Sequence, residues 1–231
     1  MNMRLIVLFC LILGQISFSQ IEVKYSVDFK YKKSIETENP AYFKETFKPY
    51  LNIIRISSGI LYACDNQSYF SILPNSADTE LRNILTQVMI ERSSWVTAST
   101  KGVQIERKLN FLSVVDYDKQ EWQITDDEKI IAGYKCIKAT KKLIFEGYPN
   151  LNRELEVWFT PDVPINSGFR DAIGLPGLIL YYNDGQWEFT AHTITTLNQC
   201  DIKMPDYEEK SWTVLANEAR ERKESRKKRD D

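Results

Sequence analysis

The chain has 231 residues and a nearly even charge balance, 30 Lys and Arg against 32 Asp and Glu, with aromatic residues at 12%. Such a balance lacks the basic excess of a nucleic-acid-binding protein, while the aromatic content suits strands with sizeable core contacts. With four cysteines and one histidine at spacings that match no zinc or redox motif, neither a metal nor a cofactor is expected.

Asn2, Met3 and Arg4 open the chain polar and positive, Leu5–Leu13 runs apolar, and Ser17 and Ser19 place small residues ahead of Gln20. This is the layout of a secretory signal peptide over residues 1–19, cleaved after Ser19. The apolar run is roughly half of the ~20 residues a membrane-spanning helix needs, so no transmembrane segment is expected after cleavage. A lipoprotein signal ending at Cys10 fails, because Leu8-Phe9 puts a bulky ring where a small residue is required. Export to an oxidising compartment permits one disulfide among Cys64, Cys136 and Cys200, with three pairings open and one thiol left over. Cys136 is expected to be a small buried apolar residue.

In the mature chain, Ile21, Val23, Tyr25, Val27, Phe29 and Tyr31 alternate with Glu22, Lys24, Ser26, Asp28, Lys30 and Lys32. Period two describes a strand with one buried and one wet face. Asn39-Pro40 reads as a helix start, with Phe43 and Phe47 four apart and Pro49 ending the turn. Residues 52–57 and 60–73 read as strands, the second folded around Asp65-Asn66-Gln67 and stopped by Pro74. After Asp78, Leu81, Ile84, Leu85 and Val88 fall at the spacing of a helix packed on a sheet. Short strands are then expected over residues 103–109, 112–117, 121–125, 130–139 and 142–145, with turns at Asp126-Asp127 and residues 147–150. Leu155, Val157 and Phe159 alternate with Glu154, Glu156 and Trp158 in a strand stopped by Pro161 and Pro164. Residues 178–182 and 187–197 flank Asn183-Asp184-Gly185-Gln186, a hairpin signal because Asp-Gly tolerates positive φ. No linker or repeat divides the chain, so residues 20–207 read as one β-rich domain. Residues 208–231 read as a charged tail, helical or disordered, with seven cations against five anions from Glu218 onward.

The most informative stretch is Gly174-Leu175-Pro176-Gly177-Leu178-Ile179-Leu180. Pro176 and Gly177 fit the corners of a type II turn, with positive φ at Gly177, and Leu178-Ile179-Leu180 then starts a buried strand. Upstream lie Gly133-Tyr134-Lys135-Cys136 and Trp158-Phe159-Thr160-Pro161-Asp162-Val163-Pro164. In order and spacing these segments resemble the GLPGLI family of exported Gram-negative bacterial proteins. The likeness is dense from about residue 122 to residue 195, whereas residues 32–100 match only in layout. Gly133, Tyr134, Cys136, Trp158, Thr160, Pro161, Pro164, Gly174, Leu175, Pro176, Gly177, Leu178 and Ile179 carry it. One departure is Phe169-Arg170, where many relatives place a proline after the glycine at Gly168. The resemblance implies a mainly β (α+β) fold: a single curled antiparallel sheet or half-open barrel with one or two packing helices, similar to periplasmic lipoprotein-carrier folds. It implies no known activity.

For catalysis the sequence offers little. His192 is expected on the outer or rim face of its strand, and Cys136 sits mid-strand, where cysteine is usually inert. No Gly-x-Ser-x-Gly elbow, phosphate loop or dinucleotide fingerprint is present. The expectation is a non-catalytic binding protein of the cell envelope (periplasmic, outer-membrane-associated or secreted) for a lipid or other hydrophobic ligand. Trp158, Pro161, Leu175, Pro176, Leu178 and Tyr182 are its candidate contacts, at the mouth or floor of an apolar cleft. The alternative is a docking protein for an outer-membrane or secreted partner, engaged through a sheet edge or aromatic patch. A hydrolase of unknown substrate is the weaker alternative.

Overall fold

Period-two alternation at the start of the chain becomes the middle of a large sheet. The computed structural model describes residues 20–31, 33–64, 67–75, 92–97, 101–106, 111–116, 121–144, 152–165, 168–198 and 208–211, with the isolated positions 149, 202, 214 and 221. The expected leader, the helix expected after Asp78, the loop residues Asp65 and Asn66, Cys200 and most of the turn at 147–150 lie outside these residues.

In β1 (Gln20–Phe29), Ile21, Val23, Tyr25 and Val27 are buried, as the alternation requires. The chain continues through β2 (Ser57–Cys64), β3 (Gln67–Pro74), β4 (Arg92–Thr97), β5 (Lys101–Glu106) and β6 (Phe111–Asp116). It goes on to β7 (Gln123–Ile131), β8 (Tyr134–Leu143), β9 (Arg153–Thr160), β10 (Leu178–Asn183), β11 (Trp187–Leu197) and β12 (Glu208–Ser211). These strands form one open sheet in the order β12-β6-β5-β4-β3-β2-β1-β11-β10-β9-β8-β7. Every neighbouring pair is antiparallel except β12, which runs parallel to β6. The fold is thus mostly β, with a sheet that does not close and a few short helices.

The sheet bends. β3 and β10 stand four places apart, about 19 Å in a flat sheet at ~4.8 Å per strand, yet one ring, that of Phe169, meets both Phe70 of β3 and Tyr182 of β10 at 4.4 and 5.4 Å. At the other end, β7 comes back against β11.

One helical stretch joins β1 to β2: α1 (Ser34–Glu38), α2 (Pro40–Tyr42), a wide turn over Phe43–Phe47 and α3 (Lys48–Arg55). The Asn39 side chain accepts the Tyr42 N–H at 3.3 Å and Pro40 takes the first turn, as expected of this start. Two expectations need correcting. Pro49 does not end the turn, and residues 52–55, read as strand, are helical. The Lys48 N–H reaches five residues back to the Phe43 carbonyl, and this widened turn makes room for the proline ring that a regular helix would exclude. Burial decides the rest, since Leu51 and Ile54, three apart, are buried while α3 packs on β1.

Further along, Asp126-Asp127 is not a turn but lies within β7, where a register slip between Ile124 and Glu128 absorbs it. The run expected as one strand over 130–139 is split by a two-residue hairpin loop, Ala132 at φ 48° and Gly133 at φ 86°. β4 was not anticipated. Nor was β12, which carries the sheet past the boundary placed at residue 207. Cys64 is disulfide-bonded and Cys136 is a free buried thiol, so the pairings that use Cys136 are excluded. No described helix is long and apolar enough to cross a membrane.

Candidate functional site

The segment between β9 and β10 leaves the sheet with Pro161 and Pro164 exposed, and then turns inward. Val163, Ile165, Phe169, Ala172, Ile173 and Leu175 are buried. Phe169, wholly buried, sits among Tyr25 (5.1 Å), Phe70 (4.4 Å), Tyr182 (5.4 Å) and Phe189 (5.8 Å), rings from four strands. The inner face of the bend, where an apolar cleft was expected, is therefore packed with the chain's own loop.

Donors from β3, β8 and the residue before β7 hold the loop by its carbonyls. Ser68 Oγ donates to Gly168 at 2.7 Å, Trp122 Nε1 to Ile173 at 2.8 Å, and Lys141 Nζ to Asp171. Behind it, the Tyr25 hydroxyl donates to the Ile179 carbonyl at 2.7 Å. Gly177 closes the segment, but not as the second corner of a type II turn: its φ is 158°, and its N–H bonds the Leu175 carbonyl two residues back. Glycine is required there by close approach, because a Cβ would lie 2.2 Å from the Thr160 carbonyl oxygen.

One end of the loop carries a buried ionic cluster. Arg170, in the left-handed region at φ 55°, reaches Asp184 at 3.4 Å and the Tyr182 hydroxyl at 3.3 Å. Tyr182 donates to Asp184 at 3.0 Å, and Arg153 pairs with Asp171 at 2.5 Å. Asp184 also accepts the backbone N–H groups of Gln186 and Trp187, so its side chain, 3% exposed, is a turn cap and an ion-pair partner together. Burial pushes the Asp184 carboxyl up, but the Arg170 guanidinium, the two N–H groups and Arg153 outweigh it and hold the carboxyl below its usual range. Nearby, Lys141 lies 4.3 Å from the Trp122 ring centroid. Burial pulls its pKa down to about 7, against the partial restoring effect of Asp171.

The outer side of β9 and β10 is arranged differently. Lys129 of β7 stands 4.2 Å from the Trp158 ring centroid and 4.1 Å from that of Tyr181. Glu156 accepts the Trp158 indole N–H at 2.9 Å and pairs with Lys138 at 3.1 Å. The Asn183 amide donates to the Tyr181 hydroxyl at 3.2 Å.

The six candidate contacts are accordingly split. Leu175, Leu178 and Tyr182 are core residues, Pro161 and Pro176 are exposed, and Trp158 is also buried, beneath Lys129. Of the remaining motif residues, Cys136, Thr160, Gly177 and Ile179 are buried, Tyr134 is half-buried, and Gly133, Pro164 and Gly174 are exposed. His192 is exposed with Nδ1 2.9 Å from Thr193 Oγ1, while burial pushes the Cys136 thiol up to about 11. Sequence reasoning did not single out Phe169, Arg170, Asp184, Lys141 or Lys129 as site residues. A signal existed for the first two, since they were the departure from the family pattern; the others carry none, because their partners are distant in the chain.

These features define an open, curled β-sheet protein in which, among the described residues, the loop before β10 covers the inner face at β1, β3, β10 and β11. A family model described as "Protein of unknown function (Porph_ging)" matches residues 148–181, the segment that holds β9, the loop and most of β10. No curated protein matches the chain. Among solved structures the fold is similar to PNGF-II in its C2 crystal form, with TM-score 0.51 and 14% identity over 86% of this chain. In its P21 form the TM-score is 0.50 at the same identity and coverage. The chain spans about a third of PNGF-II, 32% of its length.

Proposed function

We propose that this chain is an exported GLPGLI-family protein that works without catalysis, docking a protein partner in the cell envelope. The observation that carries this reading is the filled inner face. With Phe169 wholly buried among four rings, the position expected for a hydrophobic ligand is taken by the chain itself. Recognition then falls to the outside, and the edge strand β7 is the surface we favour. It ends the strand order, and it presents Asp126, Asp127 and Glu128 in succession between the exposed Ile124 and Ile130. Charge complementarity fits a basic extended segment added along this edge. PNGF-II contains a similar fold as a part of a longer chain, which suits an accessory module. A non-catalytic reading is supported by a cysteine whose burial opposes thiolate formation.

The test is photo-crosslinking from Ile130, 69% exposed, in the native envelope. A discrete heteromeric band is expected, and it should vanish when Asp126, Asp127 and Glu128 are all changed to Lys. Recovery of monomer alone at native abundance overturns the docking reading. Lipid co-purifying with the protein, identified by mass spectrometry, would favour the hydrophobic-ligand reading instead. N-terminal sequencing is expected to begin at Gln20; retention of Met1 in the working compartment defeats export.

A further inference from the structure

Trp158 and Tyr181 are register partners on β9 and β10, and their rings flank one ammonium group at 4.2 and 4.1 Å. Both distances are well inside the ~6 Å over which a ring face attracts a cation. Each ring is fixed without help from that ammonium: the indole by its N–H to Glu156, the phenol by the amide of Asn183. Glu156 adds charge of the right sign, since burial pushes it up but the Trp158 N–H, Lys138 and Lys129 outweigh this and keep it ionised. Two fixed ring faces and a carboxylate make a preformed cage for a cation.

The occupant comes from the less anchored side. Lys129 belongs to β7, which pairs only with β8, slips register between Ile124 and Glu128, and is exposed at six of its nine residues. The walls belong to β9 and β10, each with neighbours on both sides. We propose that this cage is a binding site for a quaternary ammonium group and that Lys129 is its built-in stand-in, displaced when the ligand enters. Burial pulls the Lys129 pKa below that of an ordinary lysine, so the primary ammonium is held at a desolvation cost. A quaternary group, weakly hydrated and unable to donate hydrogen bonds, fits two ring faces better. The site adjoins the β7 edge proposed for docking, because Lys129 lies on that strand between Glu128 and Ile130, but it needs no partner chain and is tested without one.

The experiment is a titration of the full mature protein with tetramethylammonium, followed at the Trp158 indole N–H resonance and assigned through Trp158→Phe. Wild type is expected to bind saturably, and Lys129→Ala about tenfold or more tightly, because the competing side chain is gone. A neutral tert-butyl alcohol of the same size should not bind. Phosphatidylcholine vesicles form the second arm: binding to both probes assigns a lipid headgroup, and binding to the free ion alone assigns a small soluble cation. No saturable shift in wild type overturns the proposal, as does binding confined to Lys129→Ala, since Lys129 would then be a permanent strut. Should Lys129→Ala fail to fold, the wild-type titration and Lys129→Met still decide.

Discussion

On one side of β10, Tyr182 packs against Phe169 and donates to Asp184; one residue earlier, Tyr181 meets Lys129. The first environment is assembled from residues far apart in the chain, dry, and closed by a loop held at three carbonyls. The second is built largely from neighbours on adjacent strands and touched by a side chain from the sheet edge. The contrast assigns stability to the inner side, and both proposals, docking and cation binding, rest on the outer one. Changes inside should unfold the protein, whereas changes outside should leave it folded with altered binding.

Phe169→Ala is the largest break. It removes a ring in contact with four others, and ~3–5 kcal/mol of stability should be lost in a denaturant titration. Loss of under about 1 kcal/mol would mean the loop is not part of the core. Asp184→Asn comes next, at about 3 kcal/mol near neutral pH, because Arg170 and Arg153 keep their charges while their shared partner loses its own. Since the folded carboxyl is held below its usual range, its contribution is present above the unfolded pKa of about 3.9 and is lost as pH falls through the folded value. The variant should accordingly show a shallower acid limb in thermal melts. Gly177→Ala should cost roughly 2 kcal/mol by forcing the Thr160 backbone aside; an unchanged melting temperature would show that the approach is looser than described.

Lys141 sharpens the comparison through pH. Its folded pKa of about 7 lies below the ordinary lysine value, so between these limits the unfolded chain binds the extra proton and stability rises with pH. The slope should approach ~1.4 kcal/mol per pH unit and disappear in Lys141→Met. The smallest effect is a gain. Ala132→Asn should stabilise by roughly 0.5–1 kcal/mol, because the left-handed backbone at φ 48° disfavours alanine more than asparagine.

What the sequence made legible were features set by near neighbours. Alternation gave β1, and Asp184-Gly185 marked the hairpin in which Gly185 takes φ 85° and Leu178–Tyr182 is strand. It misread Ile53-Ile54, where an apolar pair fits strand or helix equally until α3 finds β1 to pack on. It read Asp184 only as a turn residue, because the two arginines that make it an ionic centre come from other parts of the chain. It read the positive φ of Gly177, which is 158°, but not the steric demand there, imposed by Thr160 seventeen residues earlier. The Phe169-Arg170 departure, which left the loop's shape undefined, marks the residue at the centre of the core.

The place of β1 in the strand order has a consequence for how the molecule forms. Its neighbour β11 is met across a separation of 164 residues at the Ser26–Thr190 bond, so β1 is flanked on both sides only after that long stretch of chain has been made. Loops that long make closure slow, and until then an alternating apolar strand offers one bare edge to any other chain. A strand charged on its wet face by Glu22, Lys24 and Asp28 is partly armed against mispairing until β11 arrives.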